Sequence, residues 1–289
     1  MRRIAGWDQV LRGAVSGVLL AVALAAGGTC CFAQSAADAD LAHPQQIISA
    51  QRDGYTISAL ANHLEGITEF KQAVLLFPGS PGIMRLRMED GRIQFAQAGN
   101  FLVRSRRHWL DQETLVLVMD APSNQWATFS QQFRATPQYG ADIAALMQEA
   151  AKRFKIAQWI FVGTSEGSVS AFHAARMNPA VARVILSASL FLPTRNGPGL
   201  SGVEWSELKS PLLWVHHEND PCHYTAYRDA RRHAEKTQSP LVTVRGGGPG
   251  RGEACQAFTA HGFAGIERET VLAMRTWVKT GTVPLDVER

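Results

Sequence analysis

Cysteine is scarce in this 289-residue chain: there are four, and two of them, Cys30 and Cys31, stand near the N-terminus. Charge of one sign is missing too. Twenty-nine Lys and Arg against 25 Asp and Glu give a formal net charge of +4, which leaves no electrostatic footprint for nucleic acid. The one local basic cluster, "VRSRRHW" (103–109), is flanked by Phe101, Leu102, Trp109 and Leu110 and reads as the solvated face of a helix. Internal repeats, heptads and low-complexity linkers are absent, which excludes solenoids, coiled coils and beaded architectures. Long apolar runs are also lacking. The N-terminal one, about Ala14 to Ala26, is too short to span a bilayer comfortably.

That short run has a setting. Arg2, Arg3 and Arg12 precede it, and the small residues of "GGTCCFAQSA" follow. This is the order of a secretory signal peptide over residues 1–33, with Cys31-Phe32-Ala33 as the cleavage triplet before Gln34. A retained anchor is the alternative. Lipidation at Cys30 or Cys31 is disfavoured because Gly and Thr precede them, without the usual upstream Leu. Residues 34–289 are then the mature chain, enough for one large α/β domain and tight for two. The leader takes three arginines and one aspartate with it, leaving a formal charge of +2. It leaves two cysteines as well, Cys222 and Cys255, and an even pair in an exported chain predicts a disulfide.

Short β-rich apolar runs alternate with longer helical patterns. Strands are predicted over 45–51, 55–60, 73–79, 114–120, 158–164, 182–189, 211–217 and 240–246. The later ones are continuously apolar, as strands covered on both faces are. Helices are predicted over 139–155, 223–238 and 265–281, the last closed by Gly281. Two leading strands followed by strand–helix alternation imply a mostly parallel sheet between helices, opened by an antiparallel pair. The one long irregular connection, 191–211, has room for a flap and not for a separate lid domain.

Within this pattern "WIFVGTSEGSVSAFHAAR" (159–176) runs a strand into Gly163-Thr164-Ser165-Glu166-Gly167 and on into a helix. The glycines remove side chains where strand and helix crowd, so that Ser165 can project its hydroxyl from a strained turn. A serine needs a base and a group that orients the base. Chain order supplies both: Asp220 follows the strand of "PLLWVHHENDPC", and His261 in "CQAFTAHGFAG" precedes the last helix. Glu218 and Asp120 are alternatives for the acid. His173, His216 and His217 read as packed residues, and "HHEND" lacks a metal-ligand spacing, so no metal site is expected. For an oxyanion, "LLFPGSPG" (75–82) offers the backbone N–H groups of Gly79 and Ser80, paired with that of Glu166. A Cys222–Cys255 bridge would tie the acid loop to the histidine loop and restrain "GGGPGRGEA" (246–254).

Together "FPGSPG", "GTSEGS", "HHENDP" and "HGF" resemble the oxyanion turn, nucleophile elbow, acid turn and base of the α/β-hydrolase superfamily of serine esterases, lipases and peptidases. The acid turn is similar to the superfamily's His-Gly-Glu-x-Asp-Pro form, with His217 in place of the Gly, which favours Asp220 over Glu218. The "PGSPG" turn departs from the His-Gly-Gly form. The resemblance implies an eight-stranded, mostly parallel sheet with strand 2 antiparallel, helices on both faces, a small lid or none, and no cofactor. It implies a small-molecule ester or amide substrate without identifying one. The expectation is a Ser165–His261–Asp220 hydrolase acting on a carboxylic ester. Amide or peptide hydrolysis by the same residues, or an idle binding protein on this scaffold, are the alternatives.

Overall fold

The computed structural model describes residues 43–289; the expected signal peptide, its cleavage triplet and Cys30 and Cys31 lie outside the described residues. The first two strands, β1 (Gln45–Arg52) and β2 (Tyr55–Asn62), form an antiparallel hairpin. Its two-residue turn is Asp53-Gly54, and both residues have positive φ, the backbone that a tight right-twisted hairpin requires. Seven further strands complete the sheet: β3 (Gln72–Phe77), β4 (Thr114–Met119), β5 (Trp159–Thr164), β6 (Val181–Ser187), β7 (Leu212–His217), β8 (Leu241–Val244) and β9 (Asp286–Val287). Their order is β1-β2-β4-β3-β5-β6-β7-β8-β9. Only β2 runs antiparallel to its neighbours.

The sheet therefore has nine strands among the described residues, not the expected eight. The extra one, β9, is two residues long, and a pattern of apolar residues cannot announce so short a strand. Also unannounced is a small antiparallel ribbon, Arg87–Glu89 with Arg92–Gln94.

Alternation along the strands divides the core in two. Ala73, Leu75 and Phe77 of β3 pack into one layer, and Val74 and Leu76 into the other. Helices α1 (Phe101–Ser105), α2 (Gln131–Arg134), α3 (Pro137–Arg153), α4 (Gly167–Met177), α5 (Tyr227–Thr237) and α6 (Glu267–Thr280) cover the two faces. Residues of α3, α4 and α5 pack in the first layer, and those of α1 and α6 in the second. Helix boundaries follow local chemistry. Thr136 caps α3 through its side chain with Pro137 in the first turn, and Gly281, with φ of 75°, ends α6. Among the described residues no helix is long and apolar enough to cross a membrane.

The basic cluster at 103–109 is not a solvated helix face. It spans the end of α1 and a 3-10 turn, Arg106–Trp109, and only Arg107 of its three arginines is exposed. Arg106 is buried over the Phe95 ring and donates to the Val103 carbonyl, while Arg104 turns toward the chain around His261. Charge spacing along one segment carries no record of the carbonyls that distant loops bring to it.

Two histidines sit uncharged in this core. Burial holds the His216 ring of β7 down to about 3, and burial together with the Arg176 cation holds His173 of α4 down to about 4, against an ordinary 6.5. As pH falls below 6.5 the unfolded chain takes up protons that the folded chain refuses. Stability is therefore expected to fall on acidification from pH 6.5 toward 5, with a slope that steepens toward about 1.4 kcal/mol per pH unit for each ring. Denaturant unfolding at pH 7, 6 and 5 checks this, and His173→Gln should remove its share of the slope.

Candidate active site

The site lies at the carboxyl ends of β3, β5 and β7, where a parallel sheet leaves its loops free to converge. β5 stops at Thr164 and α4 starts at Gly167, so the chain reverses within two residues. Ser165 takes up the turn with φ of 51°, in the left-handed region that a non-glycine residue enters only when its surroundings enforce it. Those surroundings are visible. A Cβ on Gly163 would stand 2.3 Å from the Gly167 carbonyl oxygen, and one on Gly167 would stand 2.0 Å from that of Phe77. Helix α4 thus rests directly on β5 and on the end of β3. The Ser165 N–H donates to the Ser187 carbonyl (3.1 Å), and the Ser168 side chain donates to the Ser165 carbonyl (2.6 Å).

Ser165 and His261 line one pocket of about 190 Å³, together with Gly79, Ser80, Asn100 and Cys255. Behind the imidazole, His261 Nδ1 lies 3.1 Å from Asp220 Oδ2. With a carboxylate as partner Nδ1 carries the proton, which leaves the Nε2 lone pair free. The Asp220 carboxylate is held in turn, its Oδ1 by the Cys222 N–H (2.9 Å) and its Oδ2 by the Thr225 hydroxyl (2.8 Å). Among the described residues no hydrogen bond joins the Ser165 hydroxyl to His261; contacts of this type tighten as a substrate binds.

The other acids and histidines are engaged elsewhere. Glu218 pairs with Arg245 at the surface, and Asp120 is buried accepting from the Met84 and Leu86 N–H groups. His216 accepts from the Ser189 N–H, His217 donates to the Gly246 carbonyl, and Arg176 donates to His173. The side chains of His216, His217, Glu218 and Asp220 accordingly point to separate partners.

Beside the serine, the turn after β3 presses close. A Cβ on Gly79 would meet the Ser165 Cβ at 3.1 Å and the Thr164 carbonyl oxygen at 3.2 Å, so a side chain there would crowd the elbow. Gln97 Nε2 donates to the Ser80 carbonyl (3.0 Å), and Arg134 donates to that of Pro81 (2.9 Å), which pins the turn from two sides. Among the described residues the N–H groups of Gly79, Ser80 and Glu166 donate to no protein acceptor. Unpaired donors of this kind, one at the elbow and two in the facing turn, are the type that can meet an anionic oxygen.

Two residues that sequence reasoning passed over hold the imidazole. Thr225, fully buried, places its hydroxyl 3.1 Å from His261 Nδ1 as well as on Asp220. Arg104 donates to the carbonyls of Gly262 (2.6 Å) and Ala257 (3.0 Å), on either side of His261, and pairs with Glu267. Thr225 carries no signal. Arg104 carries one, a charge amid apolar neighbours, and its guanidinium is only 16% exposed. Cys222 and Cys255 are joined by a disulfide with Cα atoms 4.6 Å apart, and Cys255 borders the pocket.

No family model and no curated protein matches the chain by sequence. Solved structures do match by shape. Est1E from Butyrivibrio proteoclasticus superposes with a TM-score of 0.55 at 12% identity, covering 80% of this chain and 97% of that one. A dienelactone hydrolase-like promiscuous phosphotriesterase from metagenomic libraries gives 0.50 at 13%, covering 81% and 97%. The acylaminoacyl peptidase of Pyrococcus horikoshii gives 0.52 at 11%, covering 82% of this chain and 42% of its own length. At such identities the likeness is one of architecture, and with the strand order and elbow described above it places the chain in the α/β-hydrolase fold.

Proposed function

We propose that the chain is an exported serine hydrolase that cleaves a carboxylic ester of modest size. The observation that carries this reading is the His261–Asp220 hydrogen bond, set so that His261 lines the same pocket as a serine on a strained turn. Ser165 Oγ attacks the ester carbonyl while His261 Nε2 takes its proton. Asp220 keeps the second proton on Nδ1 and stabilises the imidazolium that forms. The carbonyl oxygen becomes an anion and meets the N–H groups of Glu166 and of Gly79 or Ser80, each such donor being worth about 2.7–4 kcal/mol at the transition state. His261 then gives its proton to the leaving alcohol, and water releases the acyl group by the same steps in reverse.

An ester of modest size fits a pocket of about 190 Å³, and the irregular connection 191–211 is too short to form a lid domain that shelters long acyl chains. Export is supported by the leader order of residues 1–33 and by a disulfide, which persists in an oxidising compartment.

A fluorophosphonate probe is expected to label the wild-type protein at Ser165 and to leave Ser165→Ala unlabelled. Equal labelling of both sinks the assignment. On short-chain chromogenic esters, Ser165→Ala and His261→Ala should lower kcat by roughly 10⁴-fold or more, and Asp220→Asn by about 10⁴-fold through the wrong tautomer. A panel that also carries anilides decides between ester and amide.

The Cys222–Cys255 bridge closes a loop across 33 positions. The chain-entropy relation gives about 3–4 kcal/mol of stability for a loop of that size. Cys222→Ser/Cys255→Ser should lose stability of that order in denaturant unfolding and fall in kcat, because both the Asp220 turn and the His261 loop are released. Peptide mapping of the non-reduced wild type should recover the two cysteines as one linked species.

A further inference from the structure

Beneath the elbow lies a buried ionic cluster that the proposed chemistry does not use. The Glu166 side chain, one residue past Ser165, points inward and is only 4% exposed, facing the 1% exposed Arg134 of α2 at 3.6 Å. Arg134 donates to Ser170 Oγ of α4 (2.6 Å), to the Pro81 carbonyl in the turn after β3 (2.9 Å) and to the Phe129 carbonyl (3.2 Å). Its guanidinium carbon lies 3.7 Å from the centre of the Phe129 ring. Glu166 Oε1 also accepts from Gln131 (2.9 Å) and Asn196 (3.4 Å). Gln131 extends the cluster into the flap, donating to Thr194 Oγ1 (3.1 Å) and accepting from the Gly199 N–H (2.6 Å).

Two physical consequences follow. Both segments that offer free N–H groups to an oxyanion, the elbow at Glu166 and the turn at Gly79–Pro81, are tied to one guanidinium. The Pro81 carbonyl shares its peptide plane with the Gly82 N–H, so this anchor reaches Ser80 and Gly79 through the backbone of the short turn, which the fixed φ of Pro81 stiffens. Moreover, a carboxylate buried beside the nucleophile opposes the negative charge that develops on the substrate oxygen, and in a low-dielectric interior that opposition is strong. A paired cation cancels it.

Resting on the reading of Ser165 as nucleophile, we propose that Arg134 is a positioning residue for the oxyanion hole. It aligns the hole's two donor segments and neutralises Glu166, so that Glu166 contributes its N–H without the penalty of its charge.

The test compares Arg134→Met, Glu166→Gln and the double variant with wild type on a short-chain chromogenic ester. Fluorophosphonate titration normalises kcat to competent sites, which removes losses that arise from misfolded protein. Arg134→Met is expected to lower kcat per titrated site about 10- to 100-fold, short of the 10²–10³ that follows outright loss of a donor. KM should stay within about twofold, and the pH profile of kcat/KM should keep its shape, because His261 and Asp220 lie outside the cluster. Adding Glu166→Gln should restore kcat per site at least threefold by removing the uncompensated charge, a coupling that a double-mutant cycle reads directly. If Arg134→Met does not fold, Arg134→Lys takes its place: it keeps the charge and loses the fork, and a fall of at least threefold per site is expected. Unchanged kcat per titrated site in the Arg134 variant that folds overturns the positioning role, as does a double variant no faster than Arg134→Met. Wild-type protein that does not label overturns the nucleophile assignment itself and the present inference with it, so the two failures are told apart at the first step.

Discussion

The close approach of α4 to β5 and to the end of β3 is the constraint on which the site depends. Side chains at 163 or 167 would overlap backbone oxygen within 2.3 Å, so the helix seats itself only with glycine at both places. Once it is seated, Glu166 already has helical backbone, with φ of −60° and ψ of −24°, and Ser165 alone takes up the reversal at a φ of 51°. A non-glycine residue held there costs on the order of 1–3 kcal/mol. The elbow's own hydrogen bonds and the buried apolar face of α4, with Val169, Ala171 and Phe172, offset it. The strain is thus held by packing several residues away from the serine, and loops around the pocket can vary without releasing it.

Around that fixed point the structure divides into two supports of different chemistry. On one side, Thr225, Arg104 and the disulfide restrain the Asp220–His261 pair through hydrogen bonds and a covalent link. On the other, Gln97 and Arg134 hold the turn after β3 by its carbonyl groups. The support of the proposed acid–base pair is assembled from segments far apart in sequence, β7, the loop before α6 and α1. That of the proposed oxyanion hole is anchored on α2 and on the residue that follows the proposed nucleophile. Proton transfer tolerates small rotations of a ring, whereas a developing anion needs donors aimed in advance. The division places the buried ion pair on the side with the stricter demand.

Much of this was legible in the sequence, and the limits of legibility have physical causes. The later strands announce themselves as continuous apolar runs because both faces of the sheet are covered there. The elbow is legible because its chemistry is local: strand, two glycines and helix within a few residues. Asp220 is legible from chain order and its turn. What escaped is what distance creates. Arg104 and Arg106 carry the same charge as any surface arginine, and only the fold supplies the carbonyls and the ring that draw them inward. Thr225 has no signature of its own, since its role is set by the meeting of two loops. The Glu166–Arg134 pair could not be foreseen either. The motif advertises the backbone of Glu166, and its side chain turns the other way.

The disulfide gives the chain a topology beyond its contacts. Residues 222 to 255 form a closed covalent ring that contains α5, β8 and the exposed glycine-rich stretch 246–254. Arg251, within that stretch, is exposed and carries the cationic side chain that a trypsin-like protease selects. A single cut there opens the ring without dividing the molecule: the piece bearing Ser165 and Asp220 stays fastened to the piece bearing His261. A molecule nicked in that exposed stretch keeps both pieces joined through Cys222 and Cys255, and they separate only where thiols are reducing.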